Sequence, residues 1–331
     1  MSVNPRLIDV AVVAIGRNEG ERLGRCLESV IAQVIEVVYV DSGSIDGSPE
    51  LAARIGARVV GLDMAQPFTA ARARNAGAAL AVEGKQHIRY IQFVDGDCEL
   101  VAGWLTEGKA FLESHPGVVA VCGRRRERFP AHSIYNRLCD LEWNTPIGEA
   151  RVFGGDVMLR AEAFKAVGGY RSELIAGEDP ELAIRLCETG AQVWRLDAEM
   201  TLHDAAMVRF SQWWRRSGRA GYAYAMGAAL HGASPQRHWV RESRRAWLWG
   251  LVIPLMGATA AMFGQHGVAV AIAMVYPLQW IRLVLGAKGP IRLRAASATF
   301  LILGKFAEVT GQLKCSWHRL TGRQGRLIEY K

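Results

Sequence analysis

The sequence predicts a two-part α/β protein: a mostly parallel β-sheet with helices on both faces, followed by an α-helical membrane segment. Three observations lead there. Short β-rich runs alternate with helical patterns through residues 1–205. A block of 36 residues, 246–281, contains no Asp, Glu, Lys or Arg. Polar residues gather directly after the strand-like runs, at the edge where open α/β sheets bind ligands.

Runs 10–15, 37–41, 57–60 and 90–95 are rich in Val, Ile and aromatic residues and read as strands. Runs 21–32, 48–55, 70–81 and 102–114 read as helices. Their alternation implies the parallel sheet. The 331 residues carry a net charge of +8, with 50% apolar and 22% charged residues. That balance excludes a disordered, collagen-like or disulfide-scaffold protein. Six cysteines (Cys26, Cys98, Cys122, Cys139, Cys187 and Cys315) are scattered without a C-x-x-C pair. Their spacing speaks against a zinc site or disulfide framework and fits a reducing compartment. No apolar run long enough for a secretory signal follows the first basic residue.

One membrane span needs about 20 apolar residues. The charge-free block therefore reads as a hairpin, 246–263 and 268–285, turning at Gly264-Gln265-His266-Gly267. The bland alternative is a buried helix pair in a soluble domain. Arg282 falls where a long side chain can snorkel to the interface. Pro254 and Pro277 are tolerated where neighbouring helices re-satisfy the backbone. Arg237, Arg241, Arg244 and Arg245 precede the hairpin; Arg282, Lys288, Arg292 and Arg294 close or follow it. The turn has no Lys or Arg, so both ends are expected in the cytoplasm. Run 295–304 precedes Lys305 and Glu308 and reads as an interfacial or re-entrant helix, with a third span as the alternative. The basic tail (Lys314, Arg319, Arg323, Arg326, Lys331) would lie against anionic headgroups. Segment 206–245 mixes eight arginines with Trp213, Trp214, Tyr222, Tyr224 and Trp239 against one acid, Glu242. It reads as an interfacial belt for lipid or lipid diphosphate rather than nucleic acid.

The strand ends carry the chemistry. The first continues into Asn18-Glu19 and the second ends in Asp41, followed by Ser42-Gly43-Ser44-Ile45-Asp46-Gly47-Ser48. Asp46 and Ser48 read as helix caps, Asp41 as a ligand contact. The fourth ends in Asp95-Gly96-Asp97. Two carboxylates so close repel, and a divalent cation bound to phosphate relieves that. Arg72 and Arg74 offer planar forks for diphosphate or base, although a solvated helix face accounts for at least one. Gly154-Gly155-Asp156 and Gly168-Gly169-Tyr170 permit close approach or positive φ. Glu178, Asp179 and Glu181 open a helix, favourable by dipole alone. They also offer a general base. His203 follows the run 192–196.

In this order and spacing, Asn18-Glu19, the Val-Asp-Ser-Gly-Ser-x-Asp run at 40–46, Arg74-Asn75-x-Gly77, Asp95-Gly96-Asp97, Gly168-Gly169-Tyr170 and Glu178-Asp179 resemble the glycosyltransferases of family 2, with the GT-A fold, over 8–205. The resemblance implies an inverting transferase that uses a nucleotide-diphosphate sugar and Mg²⁺ or Mn²⁺. It implies that Asn18, Glu19 and Asp41 line the nucleoside pocket, and that Arg74 and Asp95 touch base, ribose or diphosphate. Asp97 would hold the metal, with His203 as a second metal or diphosphate contact. Asp179 would be the base, with Glu178 beside it. The family often has Asp-Asp where this chain has Asp41-Ser42. Gln212-Trp213-Trp214-Arg215-Arg216 is similar to the Gln-x-x-Arg-Trp motif of processive synthases, but Arg216 replaces the Trp. A two-helix hairpin is also small for a polymer channel.

Transfer of one sugar to a lipid-linked saccharide is therefore expected, with Arg215 or Arg216 closing on the donor diphosphate. The catalytic part (1–205) would face the cytoplasm at the inner membrane, followed by the interfacial segment (206–245) and the membrane part (246–331), for surface polysaccharide or glycolipid synthesis. Plain polyprenyl phosphate as acceptor is an alternative. A non-catalytic sugar-nucleotide-binding scaffold is another.

Overall fold

The computed structural model describes residues 6–322. It divides into two compact units, Met1–Ala206 and Met207–Lys331. The tail positions Arg323, Arg326 and Lys331 lie outside the described residues.

The first unit begins with a strand–helix alternation: β1 (Leu7–Gly16), α1 (Glu21–Ile31), β2 (Val34–Asp41), α2 (Ser48–Ile55), β3 (Arg58–Gly61), α3 (Ala70–Val82) and β4 (Tyr90–Asp95). β1 sits between β2 and β4, and all three pairings among β1–β4 are parallel. Val10 through Ala14 are all buried. Such an unbroken apolar run marks a strand covered on both faces.

The chain continues through β5 (Cys98–Leu100), α4 (Trp104–Ser114), β6 (Val118–Glu127), α5 (Ile134–Glu142), β7 (Gly148–Ala150), β8 (Val157–Arg160), α6 (Ala161–Ala166), α7 (Glu178–Glu188) and β9 (Gln192–His203). The sheet order is β3-β2-β1-β4-β8-β6-β9-β5, with β7 on β9. β8 runs antiparallel to β4 and β6, and β5 and β7 run antiparallel to β9. Among these later strands only β6 with β9 is parallel. The expectation of a mostly parallel sheet thus holds for β1–β4, and the whole sheet is mixed. Only Gly96 and Asp97 separate β4 from β5. A parallel return needs a dozen residues or more, so β5 pairs elsewhere.

α3 lies tightly on β1 and β2. A Cβ at Gly77 would sit 2.3 Å from Val13 Cγ1 and 2.9 Å from Val40 Cγ2. Only hydrogen fits.

The second unit is helical: α8 (Phe210–His231), α9 (Val240–Trp247), a π-turn at Leu248–Val252, α10 (Ile253–Met262), α11 (His266–Ala273), α12 (Val275–Gly286) and α13 (Ile291–Thr321). Two helical runs, Val240–Met262 and His266–Gly286, are long and apolar enough to cross a membrane. Only 11% and 6% of their most apolar stretches are buried. Pro254 and Pro277 fall just after the start of α10 and α12, but each of these continues a preceding helical run, so each proline leaves one carbonyl of that run without its amide partner.

Run 295–304 lies within one unbroken 31-residue helix, α13. No residue between Pro290 and Gly322 breaks it, and Lys305 and Glu308 neutralise each other one turn apart at 2.7 Å. α13 crosses α8 at backbone contact: a Cβ at Gly221 would meet Glu308 O, and one at Gly311 would meet Gly218 O. Gly77→Ala is expected to destabilise the protein by about 1–3 kcal/mol, the usual effect of overpacking a closed contact. Urea unfolding of the full chain reads it as a lower midpoint.

Candidate functional site

The sheet register assembles the site. Gly16 at the end of β1 lies opposite Asp41 of β2, and Ile15 lies opposite Asp95 of β4. The polar residues after three adjacent strands therefore meet on one edge.

Asn18 and Asp41 shape the first two loops. Asn18, at φ 55°, donates its N–H to Ser44 Oγ at 2.8 Å. Its Oδ1 accepts from Ile45 N at 2.8 Å. Asp41 accepts from the Gly43 and Ser44 amides, each at 3.0 Å, and from Tyr39 Oη at 3.1 Å. Glu19 pairs with Arg22 at 2.9 Å. Asp46 accepts from Ser48 N at 3.1 Å, as a helix-start turn.

α3 brings in Arg74. Thr69 caps the helix through Arg72 N, and the Arg72 side chain ties the carbonyls of Asp63, Gln66 and Pro67. Arg72 is thus a loop clamp. Asn75 pairs both ways with the Tyr170 backbone, at 2.8 and 2.9 Å. Gly168 and Gly169, both at positive φ, make that turn possible. Arg74 is buried among acids. Its Nη1 lies 2.9 Å from Glu178 Oε1 and 3.2 Å from Asp179 Oδ1, and its Nη2 lies 2.7 Å from Asp95 Oδ1. The Tyr170 ring sits 5.5 Å away.

Two residues that the sequence did not single out by role complete the cluster. Arg125 donates to Asp95 Oδ2 at 2.9 Å and to Asp156 Oδ2 at 2.8 Å. Asp156, fully buried, also accepts from Asp95 N and from Thr201 Oγ1. The visible hint was Asp156 after Gly154-Gly155; Arg125 is one of three successive arginines, Arg124-Arg125-Arg126, with nothing in the pattern to set it apart. Gly155 has no room for a side chain, since its Cβ would lie 2.5 Å from Arg74 Nη2 and 2.6 Å from Asp95 Oδ2.

Asp95, Asp156, Glu178 and Asp179 face two arginines, so the cluster carries an excess of negative charge. Burial opposes the Asp95 charge, but Arg74 and Arg125 outweigh it and hold that carboxyl well below its usual range. Asp179 goes the other way. Burial, with repulsion from Glu178 and Asp95, pushes it up to about 7 despite Arg74. Glu181 is spent elsewhere, on Arg171 and Arg185.

Strand β9 brings His203 opposite Cys98 of β5. Its Nε2 lies 3.2 Å from Asp97 Oδ2, and both side chains are buried. Burial, reinforced by Arg125, lowers the His203 pKa and favours the neutral imidazole. Its Nδ1 has no hydrogen-bond partner and lies 3.9 Å from Glu127 Oε2. Asp97, Cys98 and His203 offer ligand atoms within 4.8 Å of one another. A carboxylate beside a neutral imidazole, with a carboxylate behind it, is a donor set that fits a divalent cation. Arg215 and Arg216 lie on α8 in the second unit, where Gln212 accepts from the Val208 and Arg209 amides and caps the helix.

The fold is of the GT-A type, with a cluster of acids at the strand edge. Residues 11–157 match the family model "Glycosyl transferase family 2", and 139–209 match "N-terminal domain of galactosyltransferase". Residues 11–157 thus form a glycosyltransferase family 2 domain. It is 28% identical over 200 residues to glycosyltransferase AglE of Haloferax volcanii, covering 55% of this chain and 62% of that one. It is 28% identical over 207 residues to the succinoglycan biosynthesis protein ExoA of Rhizobium meliloti, covering 60% and 62%. A TPR repeat-containing protein of Synechococcus elongatus is 34% identical over 146 residues, 44% of this chain and 34% of that one. The chain thus spans less than two thirds of the length of these relatives. In fold it is similar to the mannosyltransferase PcManGT of Pyrobaculum calidifontis, solved with GDP-Man and Mn²⁺, with a TM-score of 0.63 at 19% identity over 96% of this chain and 90% of that one.

Arg74→Ala would leave three acids together without their shared cation. Breaking a buried pair costs about 3–5 kcal/mol, and chemical denaturation is expected to register a loss of that order. Arg74→Lys keeps the charge but not the fork, and is expected to fall between.

Proposed function

We propose that the protein transfers one sugar, with inversion, from a nucleotide-diphosphate sugar to a lipid-linked saccharide at the cytoplasmic face of the inner membrane. The observation that carries the proposal is Asp179. It is a carboxylate near neutral pKa, beside acids already committed to Arg74. A general base works best when its pKa lies near the operating pH. Glu178 is the poorer candidate because its Oε1 accepts a hydrogen bond from Arg74.

In the proposed step Asp179 takes the proton of the acceptor hydroxyl as the hydroxyl oxygen attacks C1 and the nucleoside diphosphate leaves. One displacement needs one base and no carboxylate nucleophile, and it inverts the anomeric centre. Arg74 acts as a positioning residue: it fixes Asp179 and balances part of its charge. Asn18, Glu19 and Asp41 set the loops that would border the nucleoside, and Asp95 would face the donor. Asp97 and His203 would hold a divalent cation, Mg²⁺ or Mn²⁺. When bound, such a cation neutralises charge on a leaving diphosphate. The neighbour solved with GDP-Man and Mn²⁺ supports the donor and metal classes. Arg215 and Arg216 are proposed to contact the donor diphosphate.

Exposed apolar faces on Val240–Met262 and His266–Gly286 support a lipid-facing hairpin. A buried core pair would hide them. ExoA, named for succinoglycan biosynthesis, supports a role in surface polysaccharide.

Asp179 is faced by Arg74, Glu178, Asp95, Arg125 and Tyr170. The base must be unprotonated, so kcat/KM is expected to rise with pH through about 7 and then level off. Asp179→Asn is expected to lower turnover by about 10²–10⁴ and remove that limb, while donor affinity measured by calorimetry persists. An unchanged limb in the variant would contradict the assignment.

A further inference from the structure

The second unit holds an open cavity of about 470 Å³ whose lining includes Arg237, Arg241, Arg244 and Arg245, with Gln236 and Leu248. Arg241, Arg244 and Arg245 lie within little more than one turn of α9, Leu248 follows one turn on, and Arg237 comes from the turn that precedes the helix. None of the four has a carboxylate partner among the described residues. The acid on α9, Glu242, lies close enough to Glu308 of α13 to repel it, and its neighbour Ser243 donates to Gln312 Oε1 on that helix. Glu242 thus lies on the side of α9 toward α13, whereas Arg241, Arg244 and Arg245 line the cavity. Gln236 adds a second sign of an unfilled site, because its Oε1 is buried without a hydrogen-bond partner.

Arg245 is the last charge before the 36-residue neutral block, and α9 runs through the π-turn into α10 as one candidate span. Arg241 to Arg245 covers about 6 Å of helix axis at ~1.5 Å per residue. In a membrane that one turn would lie at headgroup depth, with Leu248 toward the acyl chains. Guanidinium forks match phosphate oxygens two at a time.

We propose that this cavity binds the phosphate head of a membrane lipid, with four arginines suited to the higher charge of a lipid diphosphate. The proposal rests on the hairpin reading above but goes beyond the transfer site. It gives the belt of arginines a defined ligand class.

The test uses the full chain in detergent micelles and native mass spectrometry. Phosphatidylglycerol and undecaprenyl diphosphate are the lipid probes, diacylglycerol lacks the phosphate, and inorganic pyrophosphate lacks the lipid. The wild type is expected to retain one phosphate lipid and not diacylglycerol. Retention is expected to fall roughly tenfold or more in the triple variant Arg241→Ala, Arg244→Ala, Arg245→Ala, as loss of charge-assisted bonds implies. Preference for undecaprenyl diphosphate over phosphatidylglycerol identifies the diphosphate as the natural head; equal retention identifies ordinary phospholipid. Equal retention by the triple variant, or by diacylglycerol, overturns the site, and so does pyrophosphate that binds as tightly as either lipid. Near-UV circular dichroism checks that the triple variant is folded, and Arg244→Lys, which keeps the charge, is expected to keep most of the retention. Liposome flotation is run separately: failure to float contradicts the hairpin, whereas loss of selective retention in micelles contradicts the cavity.

Discussion

One guanidinium organises the first unit's site. Arg74 is buried and holds Asp95, Glu178 and Asp179, which come from a strand end and from the start of α7. An arginine can do this because its planar fork presents several donors in fixed directions. Burying it without acids would be prohibitive, and burying three acids without it would be no better. Neighbouring features follow from keeping that cluster closed. Gly155 has no side chain because Arg74 and Asp95 occupy the space. Asn75 fixes the turn before α7 through the Tyr170 backbone. Gly77 lets α3 sit close enough to β1 and β2 to carry the arginine inward.

The same cluster separates two carboxylates by environment. Asp95 has two arginines and stays ionised, while Asp179 shares one arginine with Glu178 and rises toward neutrality. Opposed shifts in one site are how a fold assigns one acid to binding and another to proton transfer. His203 and Asp97 sit apart from this division, joined by β5 and β9 rather than by Arg74.

Much of this was legible in the sequence where local patterns decide the structure. The strands before Asp41 and Asp95 are continuous apolar runs, and α7 starts at Glu178 as its acids suggest. What was not legible depends on partners far away in sequence. Arg125 is one of three successive arginines with nothing in the pattern to set it apart, yet sheet pairing turns it toward Asp95 and Asp156. The antiparallel strands depend on which edge β5 and β8 reach, and short apolar runs do not encode that. In the second unit the charge-free block announced its helices. The continuity of α13 was hidden because Lys305 and Glu308 interrupt its hydropathy without interrupting its backbone.

The most direct test of the account is calorimetric titration of the wild type and two variants, Asp97→Ala and Asp179→Asn, with UDP-, GDP- and dTDP-sugars in the presence and absence of Mn²⁺. The expected result is metal-dependent binding of one donor by the wild type, lost in Asp97→Ala and kept in Asp179→Asn. Folded wild-type protein that binds no donor in the panel, or binds one equally with and without metal in all three proteins, would contradict it.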